Sequence, residues 1–283
     1  MSQRIDLHTH SAVSDGTEAP ADLIRSAAAA GVRTVALTDH DTVTGWEEAS
    51  IAARAEGVSL VPGMEISCRH EGISVHLLSY LHDPLNIPLM AEVLQARESR
   101  VTRAQLMVDR LAVDYDITWE KVVAHTAAGA TIGRPHLADA LVTLGVVDDR
   151  SAAFEHILTP RSPYYVSLTV VSPIDAIRLV RAAGGVPVFA HPMATARGRV
   201  VSEQAIELMI DAGLGGFEVD HRDNPPEARR RLREIAASFD LLVTGSSDYH
   251  GTGKPNRLGE NLTDPEMLSR LEAQATGCSV VRG

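Results

Sequence analysis

The residues of this chain best suited to chemistry are its histidines and the carboxylates beside them, beginning with His8 and His10. They stand in Arg4-Ile-Asp-Leu-His-Thr-His-Ser-Ala-Val-Ser-Asp-Gly16, where Ile5 and Leu7 alternate with Asp6 and His8 as in a strand with one buried face. Side chains two apart on an extended backbone point the same way, so the two imidazoles converge. Ser14-Asp15-Gly16 supplies turn chemistry and sets a carboxylate behind them. His40, Glu65, His191, His221, Asp248 and His250 each follow a short apolar run, and His76 lies inside one. Any one of these is most simply a polar residue capping a loop. Together they would be costly to bury without a compensating cation, which points to metal. The candidate ligands are His8, His10, Asp15, His40, Glu65, His76, His191, Asp248 and His250. Nine are too many for one ion and enough for two or three. Nitrogen and oxygen donors without thiolates favour Mn, Fe or Zn over Mg or Ca.

The elements that must position them alternate in type. Strands are expected at the start, at 34–38, at 59–66 (broken by Pro62-Gly63), and at 74–80, 186–190, 216–220 and 241–245. Helices are expected over 21–30, 43–56, 173–183, 202–212 and 225–238, several closed by glycine. The basic run Arg229-Arg230-Arg231-Leu232-Arg233 is a solvated helix face. Strands followed by helices imply a parallel sheet. The polar residues fall at the C-terminal ends of six strands, which a closed barrel gathers into one ring and an open sheet spreads along a line. The expected fold class is therefore α/β, a seven-stranded barrel. Between about 83 and 167 the rhythm fails, and only helical patterns appear. One should run from 88 to 111 with Leu89, Val93, Leu94, Val101, Leu106 and Leu111 on its buried face, and shorter ones should cover 118–127, 135–144 and 151–158. Residues 83–167 thus read as an inserted helical subdomain, with 1–82 and 168–283 forming the barrel domain.

The motifs His8-Thr-His10-Ser, Ser14-Asp15-Gly16, Leu37-Thr-Asp-His40-Asp41, Pro62-Gly-Met-Glu65, His76, Ala190-His191-Pro192 and Ser247-Asp248-Tyr249-His250 resemble, in order, those of the PHP (polymerase and histidinol phosphatase) family. With the helical insert, the chain is similar to its stand-alone metal-dependent phosphoesterases, the nucleoside 3′,5′-bisphosphate phosphatases that also act as 5′→3′ exoribonucleases. The resemblance implies a distorted (β/α)7 barrel and a trinuclear site. One ion would take His8, His10, Glu65 and Asp248; a second Glu65, His76 and His191; a third Asp15, His40 and His250. It also implies that Gly133-Arg134-Pro135-His136 is a substrate motif. Pro135 can open a helix, which places Arg134 where an anion binds and a guanidinium can hold phosphate. His221 is expected at the mouth near the leaving oxygen, so Asp248, His221 and Arg134 are the candidate catalytic residues. Arg197 and Arg199 are further candidates for substrate binding, in a loop that differs from the shorter one of well-known members.

The expected reaction is hydrolysis of the phosphate monoester of a small nucleotide by a metal-activated water. A nucleoside 3′,5′-bisphosphate is the first candidate and short RNA 5′ ends the second. A histidinol-phosphate-type or sugar phosphatase, a metal-dependent amidohydrolase and a nucleotide-binding scaffold without activity are the alternatives. A net charge of −11 argues against duplex DNA as partner. Cys68 and Cys278 form no pairing motif, and no signal-like or membrane-length apolar run occurs. A soluble, cytoplasmic protein without membrane contacts is expected.

Overall fold

β-branched and apolar runs become seven strands in sequential order, β1 (Ile5–Thr9), β2 (Thr34–Leu37), β3 (Ser59–His70), β4 (Ile73–Tyr80), β5 (Val186–Phe189), β6 (Gly216–Asp220) and β7 (Leu242–Gly245). The computed structural model describes residues 3–283, so the first two residues of the expected barrel segment lie outside it. The sheet nearly closes on itself. The segment after β7 runs beside β1, where His10 N–H donates to Tyr249 O at 2.8 Å and Asp248 N–H to His8 O at 2.9 Å. The result is a distorted seven-stranded barrel within an α/β fold.

The sheet is not parallel throughout, as the alternation of strands and helices had implied. β4 runs antiparallel to both β3 and β5. Glu71 and Gly72, both with positive φ, join β3 to β4 in a tight hairpin with no room for a crossover helix. Nor does Pro62-Gly63 break β3, which continues to His70. A Cβ at position 63 would come within 2.8 Å of the Thr38 methyl, so glycine lets β2 and β3 approach closely. The extension carries the hairpin beyond the barrel mouth and sets His76 across from Ser67.

On the barrel wall, α1 (Pro20–Ala29) and α2 (Trp46–Glu56) cover β2. α7 (Pro173–Ala182), α8 (Glu203–Asp211) and α9 (Pro226–Ser238) pack on a larger core that includes Met64, Ile66, Phe189, Phe217 and Val219. Ser172 and Ser202 cap α7 and α8 by accepting backbone N–H groups. Helix α10 (Pro265–Gln274), absent from the expected set, packs Leu268 and Leu271 beside Ile5 and Leu242. The arginine run of α9 is a surface face: Arg231 pairs with Glu203 and Glu234, and Arg233 with Asp220.

Residues 83–167 hold only helices, namely α3 (Ile87–Leu111), α4 (Trp119–Val123), α5 (Arg134–Thr143) and α6 (Arg150–His156). They share a core of their own built on Met107, Leu111, Leu137, Leu141 and Leu158. This segment docks on the strand-end loops, Thr131 N–H donating to Val13 O at 2.9 Å and Arg150 to Asp15 O at 3.0 Å. The buried stripe of α3 departs from the expected one. Leu94 and Leu106 are exposed, and the inward positions are Leu89, Val93, Ala96, Arg100, Arg103, Met107 and Leu111. Two arginines occupy that stripe, so a search for apolar residues misjudges its phase. No helix of the described residues is long and apolar enough to cross a membrane.

Candidate metal centre

Strand ends, the loops after them and the long β3–β4 hairpin deliver six imidazoles and three carboxylates to one place, with Glu65 inside β3 and not at its end as the sequence pattern implied. His8 and His10 leave β1 on the same face, with their Nε2 atoms 2.9 Å apart. Glu65, on β3, lies among them: its Oε2 is 3.1 Å from His10 Nε2, 3.3 Å from His8 Nε2 and 3.2 Å from His40 Nδ1. Its Oε1 is 2.8 Å from His76 Nδ1 and 3.2 Å from His191 Nε2. Asp15 reaches His250 Nε2 at 3.3 Å, and Asp248 Oδ1 lies 3.5–3.6 Å from His8, His10 and His250. Asp39, buried beneath, accepts from Ser11 N–H and from both the Ser11 and Ser14 hydroxyls, fixing the loop that presents Asp15.

All nine expected ligands therefore lie in one cluster. Donor atoms within 4.8 Å of one another form the sets His8–His10–Glu65, His10–Asp15–His250 and His40–Glu65–His76. Glu65 is shared by two of them. His10 and His40 each face carboxylates of two sets, Asp15 and Glu65. Backbone geometry is held off its usual minima here: Asp41, His191 and Asp248 have φ of 49°, 32° and 55°.

Hydrogen bonding at the outer ring atoms tests whether the donors suit divalent cations. His250 Nδ1 faces the Asp248 carbonyl at 2.9 Å, so its proton sits there and leaves the Nε2 lone pair free. Among the described residues that buried Nε2 makes no hydrogen bond, although Asp15 lies 3.3 Å away, and neither does His40 Nδ1, with Glu65 at 3.2 Å. Buried lone pairs converging with carboxylates are what a Zn, Mn or Fe ion satisfies. Electrostatics agrees. Burial would raise Asp15, Glu65 and Asp248, but their neighbours outweigh it, and each is held well below the usual carboxylate range. Those neighbours are His250 and His40 for Asp15, His40 and His76 for Glu65, and Lys254 and Arg197 for Asp248. Burial pushes His191 down to about 3 and, helped by Lys254, His250 down to about 4, so both imidazoles stay neutral and able to ligate.

The remaining candidates divide. His221 Nδ1 accepts the Asp223 N–H at 3.1 Å, so a neutral ring carries its proton on Nε2, buried, unpartnered and 3.5 Å from Asp248 Oδ2. Arg197 bridges Asp223 and Asp248, each at 2.6 Å. Arg199 is not brought to the cluster; its guanidinium lies against Gly72 at the hairpin tip. Arg134 opens α5, donates to Leu158 O at 3.1 Å and lies over the rings of Phe154 and Tyr165.

Sequence reasoning missed Arg100, Arg103, Lys254 and Glu218. Arg100 Nε donates to Asp41 at 2.7 Å, and its Nη2 donates to Ser67 Oγ. Buried Arg103 has an unpartnered Nε, and burial beside Arg134 and Arg100 pushes it down to about 9. The available signal was two arginines at helical spacing on the inward stripe of α3. For Glu218 it was a charge between Phe217 and Val219 in a buried strand. Lys254 Nζ lies 3.1 Å from Asp248 Oδ2, on a loop that gave no signal.

Comparison with known proteins identifies the fold that carries this cluster. The PHP domain family matches residues 6–119. A 5'-3' exoribonuclease of Haemophilus influenzae is 33% identical over 266 residues, 93% of this chain and 95% of that protein. A 3',5'-nucleoside bisphosphate phosphatase of Chromobacterium violaceum is 34% identical over 254 residues, 89% of each chain. A solved structure from Bifidobacterium adolescentis, described as a metal-dependent phosphoesterase, superposes with a TM-score of 0.95 at 44% identity, covering 98% of both chains. The histidine and carboxylate ring thus sits in a frame shared with such proteins from end to end, and the chain belongs to the PHP family as a metal-dependent phosphoesterase.

Proposed function

We propose that this enzyme hydrolyses a phosphate monoester of a small nucleotide bearing two phosphates, a nucleoside 3′,5′-bisphosphate before others. The observation that carries the reading is the group of guanidiniums beside the donor ring. Arg100 and Arg103 lie about one turn apart on the inward stripe of α3, the Arg100 guanidinium lies against Gly133 beside Arg134, and Asp41 is the one carboxylate paired with any of the three among the described residues. Arg100 donates to Asp41, the residue after His40, so its guanidinium stands beside the ring. Buried cations without counterions are unfavourable unless an anion arrives. A substrate with one phosphate on the metals and another on these arginines meets both demands. The Chromobacterium relative, named for this substrate class, supports the same reading.

Two or three divalent ions bound by the nine ligands would neutralise phosphate charge and make water nucleophilic near neutral pH. The chain's own groups do the rest. The His221 Nε2–H is a donor on the Asp248 side, suited to the ester oxygen that departs when its bond to phosphorus breaks. Arg197 and Lys254 stand on that side too and can stabilise the leaving group or a phosphoryl oxygen. The helical segment, through Arg100, Arg103 and Arg134, acts as a wall that sets which substrates fit. Short RNA 5′ ends are the second reading, favoured by the Haemophilus relative named as an exoribonuclease. Phosphate release should be screened over nucleotides, short RNAs, histidinol phosphate and sugar phosphates with Mn, Fe and Zn in turn. The highest kcat/KM is expected for a bisphosphorylated nucleotide; a higher value for histidinol phosphate or a sugar phosphate would overturn the substrate and leave the metal centre standing.

A further inference from the structure

Glu218 is a carboxylate outside the nine ligands, wholly buried on β6. Its Oε1 accepts from His8 Nδ1 at 2.8 Å and from the Ser246 hydroxyl; its Oε2 accepts from the His191 backbone N–H at 2.7 Å. The first bond fixes the His8 proton on Nδ1 and leaves the Nε2 lone pair facing Glu65 and His10. The second holds a residue whose φ of 32° a histidine rarely adopts. The two rings so held lie nearly parallel, 20° apart with centroids at 5.9 Å. Asn224 completes the clamp, donating to the Glu218 and Val219 carbonyls and accepting Met193 N–H at 3.0 Å.

We propose that Glu218 is a positioning residue that delivers His8 of β1 and His191, just beyond β5, to the metal centre as one unit. It rests on the assignment of those two histidines as ligands, and it requires both oxygens. A glutamine has one acceptor oxygen and one amide donor, so either His8 or the His191 amide loses its partner. An amide donating to His8 Nδ1 would move the ring proton to Nε2 and block ligation there. Aspartate keeps the charge but draws the carboxylate back by one methylene and cannot span both donors.

The test is titration of the metal-free protein with Mn or Co, following stoichiometry by calorimetry and coordination by the Co absorption bands. Both Glu218→Gln and Glu218→Asp should bind about 10- to 100-fold more weakly, with altered Co bands. Wild-type affinity and bands in Glu218→Gln would overturn the proposal; wild-type affinity in Glu218→Asp alone would reduce the role to charge and overturn it as well. Should neither variant fold, nitrogen NMR of the Zn-loaded wild type decides. A proton on His8 Nδ1 supports the clamp, and metal bound through Nδ1 contradicts it. No substrate is present in either measurement, so the outcome is independent of the substrate assigned above.

Discussion

Arg100 reaches from the inserted helix α3 to Asp41 at 2.7 Å, joining that helix to the barrel one residue beyond His40. Asp41 in turn accepts the Ser67 N–H and hydroxyl, so a single buried carboxylate ties the insert, the loop after β2 and the β3–β4 hairpin together. One arginine of the group is thereby compensated, and no carboxylate among the described residues pairs with Arg103.

Replacing Arg103 with methionine should therefore separate binding from stability. KM for a nucleoside bisphosphate should rise about 10- to 100-fold, the scale of a charge-assisted contact. Turnover of p-nitrophenyl phosphate should stay near wild type, and the melting temperature of the substrate-free protein should rise, because an uncompensated buried cation is gone. Equal losses on both substrates would show that Arg103 serves the fold.

Removing His10 takes a donor from two of the three groups that could hold an ion. His10→Ala should lower kcat on the order of 10³-fold with the circular dichroism spectrum unchanged. Undiminished turnover in the metal-loaded variant would remove the ring from the mechanism.

Chelation should destabilise the protein, since ions that bind only the folded state add stability by mass action. At a free concentration of 100 Kd each site contributes about 2.7 kcal/mol. Melting curves with and without chelator should differ by several degrees and recover on adding Mn. Coincident curves would mean that the donors are satisfied without metal.

A pH effect away from the centre is expected from His82, which burial beside Trp46 holds down at about 4 against an ordinary value of 6.5. Its Nδ1 is engaged by Ser79, and its Nε2 has no hydrogen-bond partner among the described residues. The folded state keeps the ring neutral while the unfolded chain takes a proton below 6.5. The stabilisation is thus complete above pH 6.5 and is lost as pH falls toward 4, by at most about 3 kcal/mol. His82→Gln should flatten that slope relative to wild type; identical pH dependence of melting in the two proteins would refute the assignment.

How much of this was legible in the sequence follows from physical range. The ring was legible because strand termini are local features: His8 and His10 close the first apolar run, His40 and His191 follow their own, Asp248 and His250 follow the last, and the barrel does the gathering, with Glu65 and His76 lying inside β3 and β4. The direction of β4 was not, since a hairpin and a crossover differ in two turn residues, Glu71 and Gly72, and not in the strand pattern. The guanidinium group was hidden for a different reason. Arg100 and Arg103 lie on a stripe that polarity alone assigns to solvent, and only the packing of α3 against the barrel shows it buried. Glu218 was visible as a charge in a buried strand, but its two partners come from segments 210 and 27 positions away.

The proposed substrate joins the metal ring to the arginine group. Anomalous scattering from crystals of the Mn-loaded protein with a non-hydrolysable nucleoside 3′,5′-bisphosphate analogue measures both at once. Two or three Mn peaks should lie among His8, His10, Asp15, His40, Glu65, His76, His191, Asp248 and His250, with one phosphate on them and the other against Arg100, Arg103 and Arg134. Mn peaks elsewhere, or a second phosphate pointing to solvent with the arginines untouched, would contradict it.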